Sequence, residues 1–402
     1  MVLLAFLLFA LSLQAQDLSW VRQFGSNLLD RGRGVYTDGK AHYVAGDTTV
    51  SGTHLDAFLR KYDGQGSLQW ARTFGTDAAP DGAFAVAGED ASIYVVGFVS
   101  GALPGQTALG QLDAYVRKYD SNGNVVWTRQ FGTAGNDAAL AVAVDDGAVY
   151  VGGFTTGTFA GATSAGGTDA FVARFSAQGS QVWVSQFGSS AVDQIYGVAA
   201  DKQGGVAVVG VTSGTLSGSN SGLSDAFVRR VNASTGAALW TQQFGSTLVD
   251  AASAVAADRT GIYVGGYSNG ALTSAPNAGG SDAFVRRYTL SGTADWTRLI
   301  KTATDDDVTG LALAGGGLYA SGSTSTALPG EKSAGLMDAF VRRFECDGSA
   351  DWTLQFGSAG NDSARAISVK NSKIAVAGVT DGQFRGQTAA GLGDAFLARI
   401  DE

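Results

Sequence analysis

One pattern of about 56 residues recurs along this chain and limits the folds that the chain can adopt. The tripeptide Asp-Ala-Phe, once Asp-Ala-Tyr, begins at Asp56, Asp113, Asp169, Asp225, Asp282, Asp338 and Asp394. The tryptophans follow the same period, at Trp20, Trp70, Trp127, Trp183, Trp240, Trp296 and Trp352. A repeat of this length is a supersecondary unit that buries its apolar face only by stacking on its neighbours.

Each unit divides into four strand-like segments, which we call A to D in chain order. In the third unit they are residues 139–145 (ALAVAVD), 149–154 (VYVGGF), 170–175 (AFVARF) and 182–187 (VWVSQF). Alternation with a period of two places the aromatic residues of segments C and D on one face of each. Four aromatic side chains per unit, each burying roughly 150–250 Å², are more than one small sheet can cover. The units must therefore stack.

The two ends of the repeat array favour a closed ring over a linear stack. Residues 18–24 (LSWVRQF) form a lone D segment, and residues 395–400 (AFLARI) form a C segment without a D segment after it. Pairing the two completes a seventh sheet and removes exposed edges. The sequence predicts an all-β, seven-bladed β-propeller with four antiparallel strands per blade, closed by the N-terminal strand. Residues 17–402 are expected to form this single domain.

The repeat resembles a known family. The strings VDDGAVYVGGFT, GGTDAFVARF and VWTRQFGT are similar to the bacterial seven-bladed β-propeller repeat called SBBP, and the resemblance covers about residues 17–402. It implies an exported bacterial propeller and carries no catalytic motif. The unit that contains the sixth tryptophan, Trp296, departs from it, because residues 298–301 read RLIK where residues 129–132 read RQFG. If the glycine of Phe-Gly lies in a turn that requires a positive φ, Lys301 at that position should make the turn locally less stable.

The N-terminal residues and the composition indicate an exported protein. Residues 1–16 (MVLLAFLLFALSLQAQ) are apolar from position 2 to 13, too short to span a bilayer at about 20 residues. We predict a signal peptide at residues 1–16, and hence a secreted, periplasmic or cell-surface protein without a membrane span after cleavage. A buried first strand is the alternative. The net charge of −9 argues against nucleic acid as a partner. The single cysteine, Cys346, allows no intramolecular disulfide and is interpreted as incidental.

Few residues suggest catalysis. His42 is expected at the surface at the start of a B strand, and His54 lies in a shortened loop two residues before Asp56. A His/Asp pair from one loop is a weak indication of acid–base chemistry. The sequence contains no recognisable catalytic triad, phosphate-binding loop or Cys/His metal box. No catalytic residue, metal site or cofactor is predicted, and the protein is not expected to be an enzyme.

Three polar positions recur in every unit. The first is the aspartate of Asp-Ala-Phe/Tyr. The second lies at the start of segment A, at Asp30, Asp81, Asp137, Asp193, Asp250, Asp306 and Asp362. The third is basic, at Lys61, Lys118, Arg174, Arg230, Arg287, Arg343 and Arg399. We interpret both sets of aspartates as caps on loop N–H groups and the basic residues as charge partners. Alternatively, the segment-A aspartates form a ring that binds a ligand or calcium.

The face that carries the long B–C loops is where we expect binding, because variable loops on a rigid scaffold usually hold the binding residues. The leading functional prediction is an exported binding or scaffold module for a glycan, a cell-surface polymer or a protein. Two alternatives remain: a hydrolase or lyase with an axial pocket, and a purely structural surface repeat protein. A monomer is expected.

Overall fold

The computed structural model describes residues 17–52, 54–77, 80–274 and 276–402. The described residues form 28 strands in seven separate sheets of four strands each. Every pairing within these sheets is antiparallel. Six sheets use four consecutive strands, and the seventh takes its outermost strand from the other end of the chain. In each sheet, or blade, strand A is innermost and strand D is outermost.

The strands follow the chain in order. The first is β1 (Leu18–Phe24), followed in blade 1 by β2 (Asp30–Thr37), β3 (Ala41–Ser51), β4 (His54–Asp63) and β5 (Leu68–Phe74). Blade 2 is β6 (Gly82–Glu89), β7 (Ser92–Val99), β8 (Asp113–Tyr119) and β9 (Val125–Phe131), and blade 3 is β10 (Asp137–Asp145), β11 (Ala148–Thr155), β12 (Asp169–Phe175) and β13 (Gln181–Phe187). Blade 4 is β14 (Asp193–Ala200), β15 (Gly205–Thr212), β16 (Asp225–Asn232) and β17 (Ala238–Phe244), and blade 5 is β18 (Asp250–Asp258), β19 (Gly261–Ser268), β20 (Asp282–Tyr288) and β21 (Ala294–Ile300). Blade 6 is β22 (Asp306–Ala314), β23 (Gly317–Thr324), β24 (Asp338–Phe344) and β25 (Ala350–Phe356), and blade 7 is β26 (Asp362–Lys370), β27 (Lys373–Thr380) and β28 (Asp394–Asp401) with β1.

The two ends of the chain meet in blade 7. Strand β1 pairs antiparallel with β28, with Val21 opposite Ala398 and Phe24 opposite Ala395. Blade 7 then packs on blade 1, where Leu397 shares an apolar cluster with Phe58. The predicted all-β, seven-bladed propeller closed by its N-terminal strand is therefore confirmed. The predicted signal peptide, residues 1–16, lies outside the described residues.

Aromatic side chains fill the spaces between blades. The phenylalanine that ends strand D packs edge-on against the Asp-Ala-Phe phenylalanine of the next blade, at a ring-centroid distance of 5.8 Å for Phe131 and Phe171 and 5.9 Å for Phe187 and Phe227. Edge-to-face contacts at this separation are favourable beyond the area they bury. This confirms that the aromatic faces stack from one unit to the next.

Each tryptophan ties its blade to the next one. The Trp127 Nε1 donates a hydrogen bond of 3.0 Å to the Ala177 carbonyl in the C–D turn of blade 3. Gly179 of that turn has a φ of 83°, and a Cβ there would meet the Trp127 ring at 2.8 Å. Glycine is needed here for both reasons. In blade 6 the acceptor is a carboxylate, since Trp352 donates to Glu402 Oε1 at 3.1 Å.

Small residues let the seven A strands meet around the axis. A Cβ on Gly34 would lie 2.9 Å from the Ala85 Cα on the A strand of the next blade. Alanine or glycine fills the equivalent position in the other blades. Each A strand also has a register shift, as between Ala139 and Ala141 in β10, which marks a β-bulge. The bulge leaves one extra residue per blade unpaired at the axis.

Candidate binding site

The predicted site aspartates lie at the start of each A strand, where they are buried and hold the loop that precedes them. Asp193 is 0% exposed, and its Oδ2 accepts hydrogen bonds from the Ser189 N–H at 2.6 Å and the Ser189 hydroxyl at 2.9 Å. The other members of this set accept from a serine or threonine at the same place. The residue pairs are Asp30 with Ser26, Asp81 with Thr76, Asp137 with Thr133, Asp250 with Ser246, Asp306 with Thr302, and Asp362 with Ser358.

The Asp-Ala-Phe aspartates hold the long B–C loops, together with a glutamine from strand D. Gln186 donates to Asp169 Oδ2 at 2.7 Å, while its Oε1 accepts the Phe159 N–H at 2.9 Å. Asp169 also accepts the Ala165 N–H at 3.0 Å. Sequence reasoning missed this glutamine, although its recurrence before the Phe-Gly phenylalanine is visible in five of the seven units: Gln23, Gln130, Gln186, Gln243 and Gln355.

The glycine of Phe-Gly separates the two aspartates at each blade junction. A Cβ on Gly188 would overlap Oδ1 of Asp169 and lie 3.0 Å from Oδ2 of Asp193. Gly188 does not have a positive φ, and neither does Lys301 at the equivalent position of blade 5, whereas Gly132 has a φ of 158°, close to extended backbone. The interpretation as a turn glycine was therefore wrong for Gly188, where the glycine is required for space. Where Lys301 replaces it, Leu299 also replaces the glutamine.

These contacts orient both sets of aspartates toward their own loops. Burial raises the pKa of the Asp137, Asp306 and Asp362 carboxyls, and hydrogen bonds from the loop N–H and hydroxyl groups oppose that rise. None of the seven segment-A aspartates is among the described residues that line the axial cavity. Among the described residues, no group of three or more His, Cys, Asp or Glu could hold a metal ion. Their role in binding a ligand or calcium remains a prediction.

The recurring basic residues act at the opposite end of strand C. Lys61 and Lys118 donate to carbonyls in the C–D turn of the next blade, at Ser121 (2.8 Å) and Ala177 (3.2 Å). Arg230 instead pairs with Asp201 of its own blade at 2.6 Å. The recurring basic residues therefore form polar contacts both within a blade and between neighbouring blades.

The histidines differ in their surroundings. His42 is 1% exposed and packs against Trp20 at 5.5 Å, so its expected surface position was wrong. Burial lowers the pKa of His42 to about 4, and the Arg399 charge adds to the effect. His54 contacts Asp56, with 3.2 Å between Nε2 and Oδ1, in the blade whose D strand has Thr73 in place of the glutamine.

The described residues line an open cavity of about 180 Å³ on the propeller axis, three residues after the segment-A aspartates. The bulge residue of each A strand lines it. These seven residues, the axial ring, are Arg33, Phe84, Leu140, Tyr196, Ser253, Thr309 and Arg365. Bulges often re-aim a side chain next to a functional site. Here they bring seven side chains of six residue types to one cavity.

Sequence reasoning missed the axial ring, yet the repeat contains a signal for it. The position before the bulge is small or aliphatic in every unit, as in Gly32, Ala83 and Ile195. Two positions after the bulge the residue is always Val, Leu or Ile. Between these constant positions, the bulge residue changes charge, size and polarity from unit to unit. Variation at one position in an otherwise regular repeat indicates a role that the fold does not dictate.

Positive charge is concentrated on one side of the ring, in blades 7 and 1. Arg31 and Arg33 share the buried carboxylate of Asp47, with an Arg31 Nε to Oδ2 distance of 2.8 Å. Burial lowers the pKa of Arg33; Asp47 opposes this change, and Arg31 and Arg365 add to it. Arg365 is exposed and has neither a hydrogen bond nor an ion pair among the described residues, although its charge opposes the rise in the pKa of Asp307.

Aromatic and hydroxyl groups, with Leu140, form the rest of the ring. The Arg33 guanidinium lies 4.4 Å from the Phe84 ring centroid, and Phe84 contacts Phe98 at 5.7 Å. The Tyr196 hydroxyl donates to Gln194 Oε1 at 2.8 Å, which leaves the Gln194 amide N–H groups for other acceptors. The cavity can therefore receive both an anionic group and a flat apolar face.

A larger groove of about 750 Å³ lies at the outer edge, between β1 and β25. It is bounded by Asp17, the first described residue, and by Trp20 and Phe384. The axial cavity is the stronger candidate, because its lining comes from all seven blades and is fully described.

The fold and this cavity define a seven-bladed β-propeller with an irregular axial ring. The chain is 28% identical over 364 residues to the regulatory protein FlaEY of Caulobacter vibrioides, covering 79% of this chain and 38% of that protein. The chain thus spans less than two fifths of that relative's length. No family model matches the chain.

Solved structures support the fold. The WD40 β-propeller domain of Doa1 superposes with a TM-score of 0.56 at 11% identity, covering 96% of this chain and 97% of that one. The quinohemoprotein alcohol dehydrogenase of Comamonas testosteroni gives a TM-score of 0.51 at 10% identity, covering 96% and 76%. At these identities the likeness concerns the fold alone. No helix of the described residues is long and apolar enough to cross a membrane.

Proposed function

We propose that this chain is a non-catalytic binding module, exported from a bacterial cell, that takes a glycan, cell-surface polymer or protein at its axial ring. The apolar run at residues 1–16 supports export, and the repeat strings support a relation to SBBP proteins. The description of the Caulobacter relative as a regulatory protein supports a role in binding.

The asymmetry of the axial ring carries the proposal. Capping, stacking and ring closure are met by nearly the same residues in every blade, whereas the bulge residue is of six different types in the seven blades. A repeat that only had to close a ring would need no such variety at its axis. Side chains of mixed chemistry on a rigid frame are typical of a binding site.

The charges near the cavity support a non-catalytic role. General acid–base catalysis needs a group that can exchange a proton with the substrate. Asp47 is held by two arginines, and Asp307 accepts the Ser323 N–H at 2.7 Å. Asp47 is thereby committed to the frame of the ring, whereas burial raises the pKa of Asp307 and the Ser323 N–H and Arg365 oppose that rise.

Binding to an array of glycans, cell-wall fragments and envelope proteins tests the proposal. The double variant Phe84→Ser/Tyr196→Ser removes the aromatic part of the ring. The control, Val126→Ser/Leu239→Ser, removes apolar side chains that are 55% and 47% exposed at the start of outer strands. We expect the axial variant to lose the array signal of the native protein and the control to keep it. A signal that survives in the axial variant would overturn the proposal.

A further inference from the structure

The charges of the axial ring identify a class of ligand, an inference that rests on the proposed function and narrows it. Arg33 uses its Nε for Asp47, which leaves its two terminal amino groups for another acceptor. Arg365, on the adjacent blade, is exposed and lines the same cavity as Arg33. Guanidinium groups present paired N–H donors that match the two oxygens of a carboxylate.

The other side chains of the axial ring favour a ligand that has uncharged groups beside its anionic group. Phe84 and Tyr196 provide aromatic faces, while Ser253 provides a hydroxyl group for hydrogen bonding. A pyranose that carries a carboxylate offers a C–H face, ring hydroxyls and a negative charge in one rigid unit. An acidic peptide side chain offers only methylene groups and a charge.

The dimensions of the site favour a single residue of the ligand. The axial cavity of about 180 Å³ is smaller than the roughly 300–1,000 Å³ typical of pockets that enclose drug-sized ligands. The chain has a net charge of −9, which opposes a long polyanion lying across the surface. A single acidic residue of the ligand can enter the axial cavity while the rest of the polymer stays outside. This arrangement fits the small volume of the cavity and keeps the polyanion away from the negatively charged surface.

We propose that the axial ring binds the terminal uronic acid of an acidic polysaccharide, with its carboxylate at Arg365 and Arg33 and its sugar ring against Phe84 and Tyr196. The site binds this group without changing it.

Calorimetric titration with uronate oligomers tests this proposal. The probes are tetramers of galacturonate, glucuronate and mannuronate, and the methyl ester of each, which has the same backbone without the charge. The test variant is Arg365→Gln, and the matched control is Arg259→Gln, an exposed arginine in the A–B turn of blade 5. We expect at least one tetramer to bind about tenfold more tightly than its ester. Arg365→Gln should remove that difference, and Arg259→Gln should preserve it.

Several results would overturn the inference. They are the absence of binding by all three tetramers, equal affinity for acid and ester, an unchanged affinity in Arg365→Gln, and equal binding of a glutamate octapeptide. The proposed function fails separately, if the Phe84→Ser/Tyr196→Ser protein retains every array signal. A neutral glycan that binds in a manner dependent on Phe84 would keep the proposed function and reject the uronate.

Discussion

His42 occupies in blade 1 a position that holds an aliphatic side chain in the other six blades. The equivalents are Ile93, Val149, Val206, Ile262, Leu318 and Ile374, all at most 1% exposed. The His42 Nδ1 has no hydrogen-bond partner among the described residues. An imidazole buried in this way resists protonation, because charging it would place an unpaired cation in the core.

Acidic pH should therefore lower the unfolding free energy of the native protein through His42. The pKa is about 4 in the folded protein against an ordinary value of 6.5, so only the unfolded chain binds a proton between these values. The stability that depends on neutral His42 is complete above pH 6.5 and is lost as the pH falls toward 4. At about 1.4 kcal/mol per pH unit, we expect a loss of about 3 kcal/mol.

The variant His42→Val should lack this component of the acid sensitivity, and the His54→Gln control should keep it. Urea unfolding at pH 7 and at pH 4.5 measures the difference. The same loss of unfolding free energy in native and His42→Val proteins would contradict the assignment.

Asp193 provides the residue-scale test of the segment-A aspartates. Because its Oδ2 accepts two hydrogen bonds from Ser189, Asp193→Asn should lower the unfolding free energy by about 1–3 kcal/mol. The loss should be the same with and without calcium, as measured by thermal unfolding. Asp17→Asn, at an exposed position, controls for the change in net charge. A calcium-dependent stabilisation that the Asp193 variant abolishes would instead favour the ligand-binding alternative.

At the scale of the strand and its turn, neighbouring blades are joined by a repeated contact. The backbone N–H of each segment-A aspartate donates to the carbonyl before the preceding blade's Asp-Ala-Phe/Tyr, as from Asp193 to Thr168 at 2.8 Å. The hydrogen bond from a tryptophan to the next C–D turn is a second contact between neighbouring blades. Trp296 is the exception, because its Nε1 has no partner among the described residues.

That exception makes Trp296 a matched control for the tryptophan link. Trp127→Phe removes the hydrogen bond to Ala177, whose carbonyl then accepts only from Lys118, whereas Trp296→Phe removes no bond. Both substitutions remove a similar area of buried apolar surface. We expect Trp127→Phe to cost about 1 kcal/mol more in unfolding free energy, as measured by urea unfolding. Equal losses of unfolding free energy in the two variants would mean that the Trp127 hydrogen bond makes no net contribution to stability.

The strand pattern could be predicted because every blade repeats it for the same physical reason. Alternating aromatic residues, turn glycines and the spare D segment each follow from burial and edge pairing, so β1 and β28 were matched from the sequence. The axial ring was missed because a bulge shifts the register by one residue, and the only signal for it is the variation at that position, which appears when the seven units are compared. The space around Gly188 depends on Asp193 in the next blade, and only the packed structure brings the two together.

At the scale of the whole molecule, the axial ring exists only if the propeller is closed. Arg33 belongs to blade 1 and Arg365 to blade 7, so the cationic side of the cavity lies across the junction where the two ends of the chain meet. Blade 7 is complete only when β1 pairs with β28. An open chain would separate the two arginines and expose the edge of β28.

Disulfide trapping of β1 on β28 tests this closure most directly. In a Cys346→Ser background, cysteines at Val21 and Ala398 are directly opposite, and facing residues of paired strands lie within the Cα separation of a disulfide. The control pair, Val21→Cys with Leu397→Cys, puts the second thiol on the other face of β28. On mild oxidation, we predict an intramolecular bond in the monomer for Val21/Ala398 and free thiols for the control. Free thiols, or only cross-linked dimers, in the Val21/Ala398 protein would contradict a ring closed by its N-terminal strand.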